Sequence, residues 1–195
     1  IVCSIGPDAR YLVSYPHSSA GTVSHVWGPT LMMGGAVVMD EVKQFSAERY
    51  LSLVQRHGIT HGQLVPTMLF RLLDFPDIDR FDVSSLRTLG YASAPIPPHR
   101  VKQAIETFGN VLVQLYGMTE TCSHATILSK EDHRIGNESD EGLLASCGRT
   151  VWGVEIRIVG DDGRDLPTGE VGEIVMRGRW LTTGYWNDPE RTADA

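Results

Sequence analysis

The 195 residues are 42% hydrophobic and 21% charged, with 20 glycines scattered between periodic segments, which excludes a disordered or low-complexity chain and allows a sizeable core. Against 17 basic residues stand 24 acidic ones, a net charge of −7 with no Lys/Arg block, so no nucleic acid partner is expected. No apolar run nears the roughly 20 residues that cross a bilayer, and the three cysteines (Cys3, Cys122, Cys147) form no CxxC, so the chain reads as cytoplasmic with free thiols, without a transmembrane segment, disulfide framework or zinc knuckle.

From Arg10 to about Met118 short apolar runs alternate with amphipathic ones, the signature of strand–helix–strand units around a parallel sheet. Tyr11 to Tyr15 predicts a strand. Gly21 to Met33 predicts a mostly apolar helix whose stripe Val26, Leu31, Met32 and Met33 faces a core, and Ala36 to Met39 a buried strand. Ser46 opens a helix carrying Tyr50, Leu53 and Val54 on one face and closing at His57-Gly58. Thr60 to Val65 is the next strand, followed after Pro66 by a helix from Thr67 to Leu73. Leu86 to Leu89 is a short strand that runs into Gly90-Tyr91-Ala92-Ser93-Ala94-Pro95. Pro98 starts a helix through Val101, Ile105 and Phe108 to a Gly109 cap, and Val111 to Leu115 is a strand that ends in Tyr116-Gly117-Met118-Thr119-Glu120.

Ligands of open parallel sheets gather at the C-terminal strand ends, so the loops after Leu89 and Leu115 aim at a common crevice. Asp132 to Gly142 is polar enough to read as a long surface loop. Past about Thr150 the pattern becomes strict alternation, in Val154 to Val159 and again in Glu173 to Arg177, around a turn at Asp161-Asp162-Gly163. The fold class is therefore α/β: a parallel-sheet subdomain with flanking helices over 1–150, then the start of an antiparallel β subdomain, incomplete, over 151–195. Ile1 has no methionine before it, and Asp188-Pro189 begins a helix close to the last residue, so both ends are expected to be internal to a longer protein.

Tyr116-Gly117-Met118-Thr119-Glu120 holds the residue types a nucleotide site needs. An aromatic offers a face to a purine, a glycine admits close backbone approach, a hydroxyl donates to phosphate oxygen and a carboxylate holds Mg²⁺. By spacing alone the same five residues equally describe a strand end with a tight turn and a solvated acid. Ala92-Ser93-Ala94-Pro95 is small enough to lie flat against a planar ring or a thin chain, but alone reads as an ordinary strand-to-helix turn. His57 and His61 are four apart, but Gly58 breaks the helix that would align them, so no metal site follows. Ser18 and Ser19 lack Gly-x-Ser-x-Gly, and neither a phosphate loop with lysine nor Gly-x-Gly-x-x-Gly occurs, so hydrolases, P-loop kinases and nicotinamide dehydrogenases fall away. Trp180 and Trp186 read as packing residues.

Taken in order, Tyr15-Pro16-His17 with Gly21, Val65-Pro66-Thr67-Met68-Leu69, Ala92-Ser93-Ala94-Pro95, Gln114-Leu115-Tyr116-Gly117-Met118-Thr119-Glu120, Gly148-Arg149, Gly169 to Ile174 and Gly184 to Pro189 resemble the motif series of the adenylate-forming superfamily. That superfamily comprises acyl- and aryl-CoA synthetases, luciferases and peptide-synthetase adenylation domains. The resemblance implies that Gln114, Tyr116, Gly117, Met118 and Thr119 with Ala92, Ser93, Ala94 and Pro95 bind ATP and AMP. It further implies that Tyr116 stacks on adenine, that Thr119 and Glu120 are catalytic, with Thr119 at the α-phosphate and Glu120 at Mg²⁺, and that His17, Ser18, Gly117 and Met118 wall the acyl pocket.

The implied reaction joins a carboxylic acid to ATP, giving an acyl-adenylate and pyrophosphate, after which the thiol of coenzyme A displaces AMP. Met118 stands where peptide-synthetase domains typically carry proline, which favours a CoA ligase over the alternative of an amino-acid adenylation domain; the resemblance lies nearest the fatty-acid–CoA ligases, with aryl and steroid-like acids as other substrates. A non-catalytic nucleotide- or acyl-binding module is the reading from a different class. The sequence carries no signal for oligomeric state. The superfamily's phosphate loop, ribose-binding aspartate and adenylation lysine do not occur among these residues. The isolated 195-residue chain is therefore expected to form no acyl-adenylate, which an assay for acid-dependent pyrophosphate release by the purified chain checks.

Overall fold

A computed structural model describes residues 5–15, 26–40, 44–122 and 124–195. His17, Ser18 and the first part of the helix expected from Gly21 lie outside them.

In chain order the elements are β1 (Arg10–Val13), α1 (Gly28–Met32), β2 (Ala36–Met39), α2 (Ala47–His57), β3 (His61–Leu64), α3 (Pro66–Leu73), β4 (Thr88–Ala92), α4 (Pro98–Phe108), β5 (Leu112–Gly117), β6 (His124–Leu128), α5 (Lys130–Glu138), β7 (Arg149–Thr150), β8 (Val154–Val159), β9 (Glu173–Gly178) and α6 (Pro189–Asp194). Local chemistry sets most boundaries. The Ser46 hydroxyl accepts from the Arg49 amide at 3.3 Å to start α2, and Gly58 closes it at φ 56°, a left-handed conformation that suits glycine. Proline opens α3, α4 and α6, where its missing N–H has no helical partner to lose, and Asp188 caps α6 by accepting from the Arg191 amide.

Seven strands form one sheet in the order β2-β1-β3-β4-β5-β6-β7. The pairs among β1 to β5 are parallel, whereas β6 and β7 add antiparallel. Alternation along β1 divides the interior. Leu12 joins Tyr50, Leu51 and Val54 of α2, Leu69 and Leu72 of α3 and Val101 and Ala104 of α4 on one face, while Tyr11 and Val13 meet Val26 and Trp27 on the other. The sheet order reverses between β1 and β3, and in doubly wound sheets such a reversal opens the ligand crevice at the C-terminal strand ends. β8 and β9 pair antiparallel in a separate two-stranded sheet, as their alternation predicts.

Three expectations are corrected. The stretch from Asp132 to Gly142 is not a loop: it holds most of α5 and the start of a 3-10 turn at Glu141–Ala145. Its polar residues are used internally, because Ser129 and Asp132 form a reciprocal capping box and Asp132, His133 and Gly136 are buried. A Cβ on Gly136 would lie 2.6 Å from Leu144, so only glycine lets the turn pack onto the helix. The stripe on α1 does not face a core in this chain: Val26 is fully buried, but Leu31, Met32 and Met33 are 59%, 87% and 48% exposed. This helix is a single short turn over the β1–β2 edge, with its outer side bare. Of the two tryptophans, Trp180 packs against Trp152 with ring centroids 6.5 Å apart, whereas Trp186 is exposed.

Tyr50 is wholly buried, and its hydroxyl stands over Gly62, where any Cβ would overlap it; among the described residues that hydroxyl has no hydrogen-bond partner. Burial pushes its ionisation well above the ordinary tyrosine range. Removing an unpaired buried hydroxyl relieves a desolvation cost, while adding a methyl below it overpacks the site. Tyr50→Phe is expected to leave stability unchanged or raise it by up to about 1 kcal/mol, and Gly62→Ala to lower it by about 1–3 kcal/mol, read by chemical denaturation.

Candidate functional site

Two loops leave neighbouring strands side by side. The parallel register sets Tyr91 beside Gln114 and Ala92 beside Leu115, so Ser93-Ala94-Pro95 emerges next to the segment that runs from Tyr116 to Glu120. Both strands reach further than their composition suggests. Ala92 is the last residue of β4, and Tyr116 and Gly117 close β5, with a register shift against β6 between them. Alternation puts Gln114 and Tyr116, both half-buried, on the sheet face that carries Tyr91, and Gly90 and Ala92 on the opposite face. Ser93, Ala94 and Pro95 are exposed, and Ser93 adopts φ 79°, a left-handed conformation that a residue with a Cβ holds at a cost of about 1 kcal/mol.

Beyond Gly117 the backbone folds into a tied turn. The Thr121 hydroxyl donates to the Met118 carbonyl at 2.8 Å and accepts from the Met118 amide at 3.0 Å. The amides of Thr121 and Cys122 reach the carbonyls of Met118 and Thr119 at 3.2 and 2.9 Å. Thr121 is buried beneath, which leaves Met118 and Thr119 exposed at the tip. This threonine is a site residue that motif reading passes over, although a threonine four residues after a strand end is a local signal for side-chain-to-backbone bonding.

Glu120 is tied from the far end of the chain. The Tyr185 hydroxyl donates to its Oε1 at 2.8 Å, and the Thr182 amide donates to its carbonyl at 2.7 Å. Donation from its own backbone amide, then from Tyr185, holds the Glu120 carboxyl below the usual carboxylate range, so it is ionised at neutral pH. Tyr185 lies in the Gly184 to Pro189 block, and only the tertiary structure joins it to Glu120.

A third strand end contributes Gln63 on β3, which faces Gly90 across the register. Its Oε1 is buried without a hydrogen-bond partner among the described residues, a costly state unless something supplies a donor. Sequence reading missed it, because a lone glutamine carries no signal until the sheet places it. His17 and Ser18 follow β1 in the chain and lie outside the described residues. No group of three or more His, Cys, Asp or Glu side chains converges among the described residues.

The AMP-binding enzyme model of protein families matches residues 2–186. A medium/long-chain-fatty-acid–CoA ligase of Mycobacterium tuberculosis is 37% identical over 95% of this chain and 31% of its own length. The amide bond synthetase McbA of Marinactinospora thermotolerans superposes with a TM-score of 0.86 at 36% identity, over 100% of this chain and 37% of that one. The O-succinylbenzoate–CoA synthetase of Bacillus subtilis, solved with ATP and magnesium, superposes with a TM-score of 0.81 at 28% identity, over 98% and 37%. The chain thus spans about a third of the length of the curated relatives it matches.

The tied turn has a measurable signature. Thr121→Val keeps the shape but loses both bonds, and is expected to cost about 1–3 kcal/mol in thermal or chemical denaturation, with Thr121→Ser recovering most of the loss.

Proposed function

Because the chain belongs to the AMP-binding enzyme family, we propose that the protein it comes from is an ATP-dependent acid–CoA ligase that forms an acyl-adenylate and then an acyl-CoA, with a fatty acid as substrate. The observation that carries the reading is the convergence of the Ala92–Pro95 loop with the tied Met118–Cys122 turn at one sheet edge, with Glu120 ionised beside them. The fatty-acid assignment rests on the 37% identical relative, which acts on medium- and long-chain fatty acids. We divide the chain at residue 150, with acyl and nucleotide binding before it and a β-rich subdomain after it.

In this reading Tyr116 stacks on the adenine, with Gln114 beside it. Ala92 to Pro95 form the opposite wall, where the absence of bulky side chains lets main chain approach the ring. The exposed Thr119 hydroxyl donates to the α-phosphate, and Gly117 and Met118 share the acyl pocket with His17 and Ser18. Catalysis of this kind is positioning and charge stabilisation, which is why a tied turn matters more than any perturbed base.

The residues present suit Mg²⁺. One ionised carboxylate, of which Oε1 accepts from Tyr185, is the kind of donor a magnesium ion takes together with substrate phosphates, and a dedicated three-ligand cage is unnecessary. When bound, the ion would neutralise phosphate charge; Glu120 would hold it and Tyr185 would hold Glu120. The acid carboxylate attacks the α-phosphorus, pyrophosphate leaves, and the thiol of coenzyme A then displaces AMP from the acyl carbon.

Gln63 stands at the neighbouring strand end, where its unpartnered oxygen would accept from a donor that a hydroxyl- or amine-bearing acid brings and a plain fatty acid lacks. One alternative second step is favoured by a specific likeness: McbA, 36% identical, is an amide bond synthetase, so an amine in place of the thiol would share the same adenylation.

A pyrophosphate-release assay on the full-length protein across fatty, aryl and amino acids tests the reading. Acid-dependent release is expected, followed by AMP release that requires CoA, with turnover falling about 10²-fold or more in Thr119→Ala and Glu120→Ala. Release with no acid at all in the panel would overturn the ligase, and AMP release driven by an amine instead of CoA would favour the amide synthetase.

A further inference from the structure

The proposed chemistry has no use for His133, yet this imidazole is fully buried and both of its ring nitrogens are engaged. Nδ1 lies 2.7 Å from the Ser129 carbonyl and Nε2 lies 2.9 Å from the Tyr91 hydroxyl. A carbonyl can only accept, so Nδ1 carries the proton, Nε2 accepts, and Tyr91 donates. Desolvation, the largest influence, lowers the imidazole's ionisation and agrees with this neutral tautomer. The rings meet edge to face, with centroids 5.6 Å apart at 79°.

Each end of this pair is anchored. On the α5 side, the Ser129 hydroxyl and amide donate to Asp132 Oδ2 at 2.7 and 3.0 Å, and Asp132 Oδ1 faces Arg149 of β7 at 3.4 Å. The carbonyl that holds His133 therefore belongs to a doubly tied helix start. On the β4 side, Tyr91 is buried and directly precedes Ala92 and the left-handed Ser93. A strained residue of that kind persists only where its surroundings over-determine it. Ahead of it the loop is pinned by buried Ile96; behind it the pin is Tyr91. A leucine would fill the His133 volume with less desolvation cost, so packing alone does not account for an imidazole there; what the imidazole adds is a directed bond.

We propose that His133 is a positioning residue which, through Tyr91, holds the Ala92–Pro95 loop in the conformation that binds the acyl-adenylate. The inference rests on the reading that this loop lines that site. It assigns a role in ligand binding to α5, a segment whose polar sequence otherwise reads as surface.

The test uses the full-length protein with Tyr91→Phe, which deletes only the hydroxyl, His133→Leu, which deletes the acceptor, and His133→Gln, whose carboxamide oxygen can take the place of Nε2. Three quantities are measured: melting temperature, KM and kcat for acid and ATP in the pyrophosphate assay, and deuterium uptake of the peptide spanning residues 92–97. Tyr91→Phe and His133→Leu are expected to speed exchange in that peptide and to raise KM for acid and ATP about five- to tenfold, the equivalent of one hydrogen bond, with kcat changing less. His133→Gln is expected to recover most of both. A lowered melting temperature with unchanged exchange and unchanged KM would show a purely structural role and overturn the proposal. If the unsubstituted protein releases no pyrophosphate with any acid, the ligase reading has failed, and the exchange data alone decide whether the pair clamps the loop.

Discussion

The parallel register of β3, β4 and β5 is the constraint on which the site depends. Backbone hydrogen bonds set Gln63 against Gly90, Tyr91 against Gln114 and Ala92 against Leu115. Because side chains alternate, a slip of one residue would drive Tyr91 out of the core and turn Gly90 into it. With the register in place, Tyr91 stays under α5, Ala92 opens the small-residue loop from the opposite face, and the tied turn after Gly117 comes to lie beside it. The register also explains why two segments more than twenty residues apart meet at one end of the sheet.

The sheet's two faces are unequal. Helices α2, α3 and α4 pack on one face and bury its leucines, valines and tyrosines, while the other is covered by Val26, Trp27 and their neighbours. The first face supplies the rigidity, since its residues are almost without solvent exposure. The C-terminal strand ends, where the order reverses between β1 and β3, supply the opening. In the proposed function, stability and binding fall to different parts of the same strands.

Buried polar groups mark where that division is breached. Tyr91 and His133 satisfy each other, and Asp132 is enclosed by its own helix cap. Among the described residues the Tyr50 hydroxyl and Gln63 Oε1 are left without partners, with different meanings. Tyr50 lies in the helix-covered core, where an unpaired hydroxyl is only a cost. Gln63 stands on the opposite face beside the proposed acid pocket, where an unpaired acceptor can be answered by a ligand.

The residue pattern alone determined the α/β class, the parallel units up to about Met118, the antiparallel pair that follows, and the helix caps at Ser46, Gly58, Pro98, Gly109 and Asp188. These follow from short-range periodicity and from single residues whose backbone preferences are strong. The ordered motifs likewise pointed to the family. The sequence misled where polarity is consumed internally, as in α5, whose capping box and buried His133 look like surface from composition alone, and where apolar residues on α1 stay exposed. It was silent on Thr121, Tyr185, Gln63 and His133, because each acts through a partner set by folding: a turn carbonyl, a carboxylate 65 residues away, a facing strand, a neighbouring helix. Local preference is written in the order of residues, whereas hydrogen bonds between distant side chains exist only once the sheet register has brought their ends together.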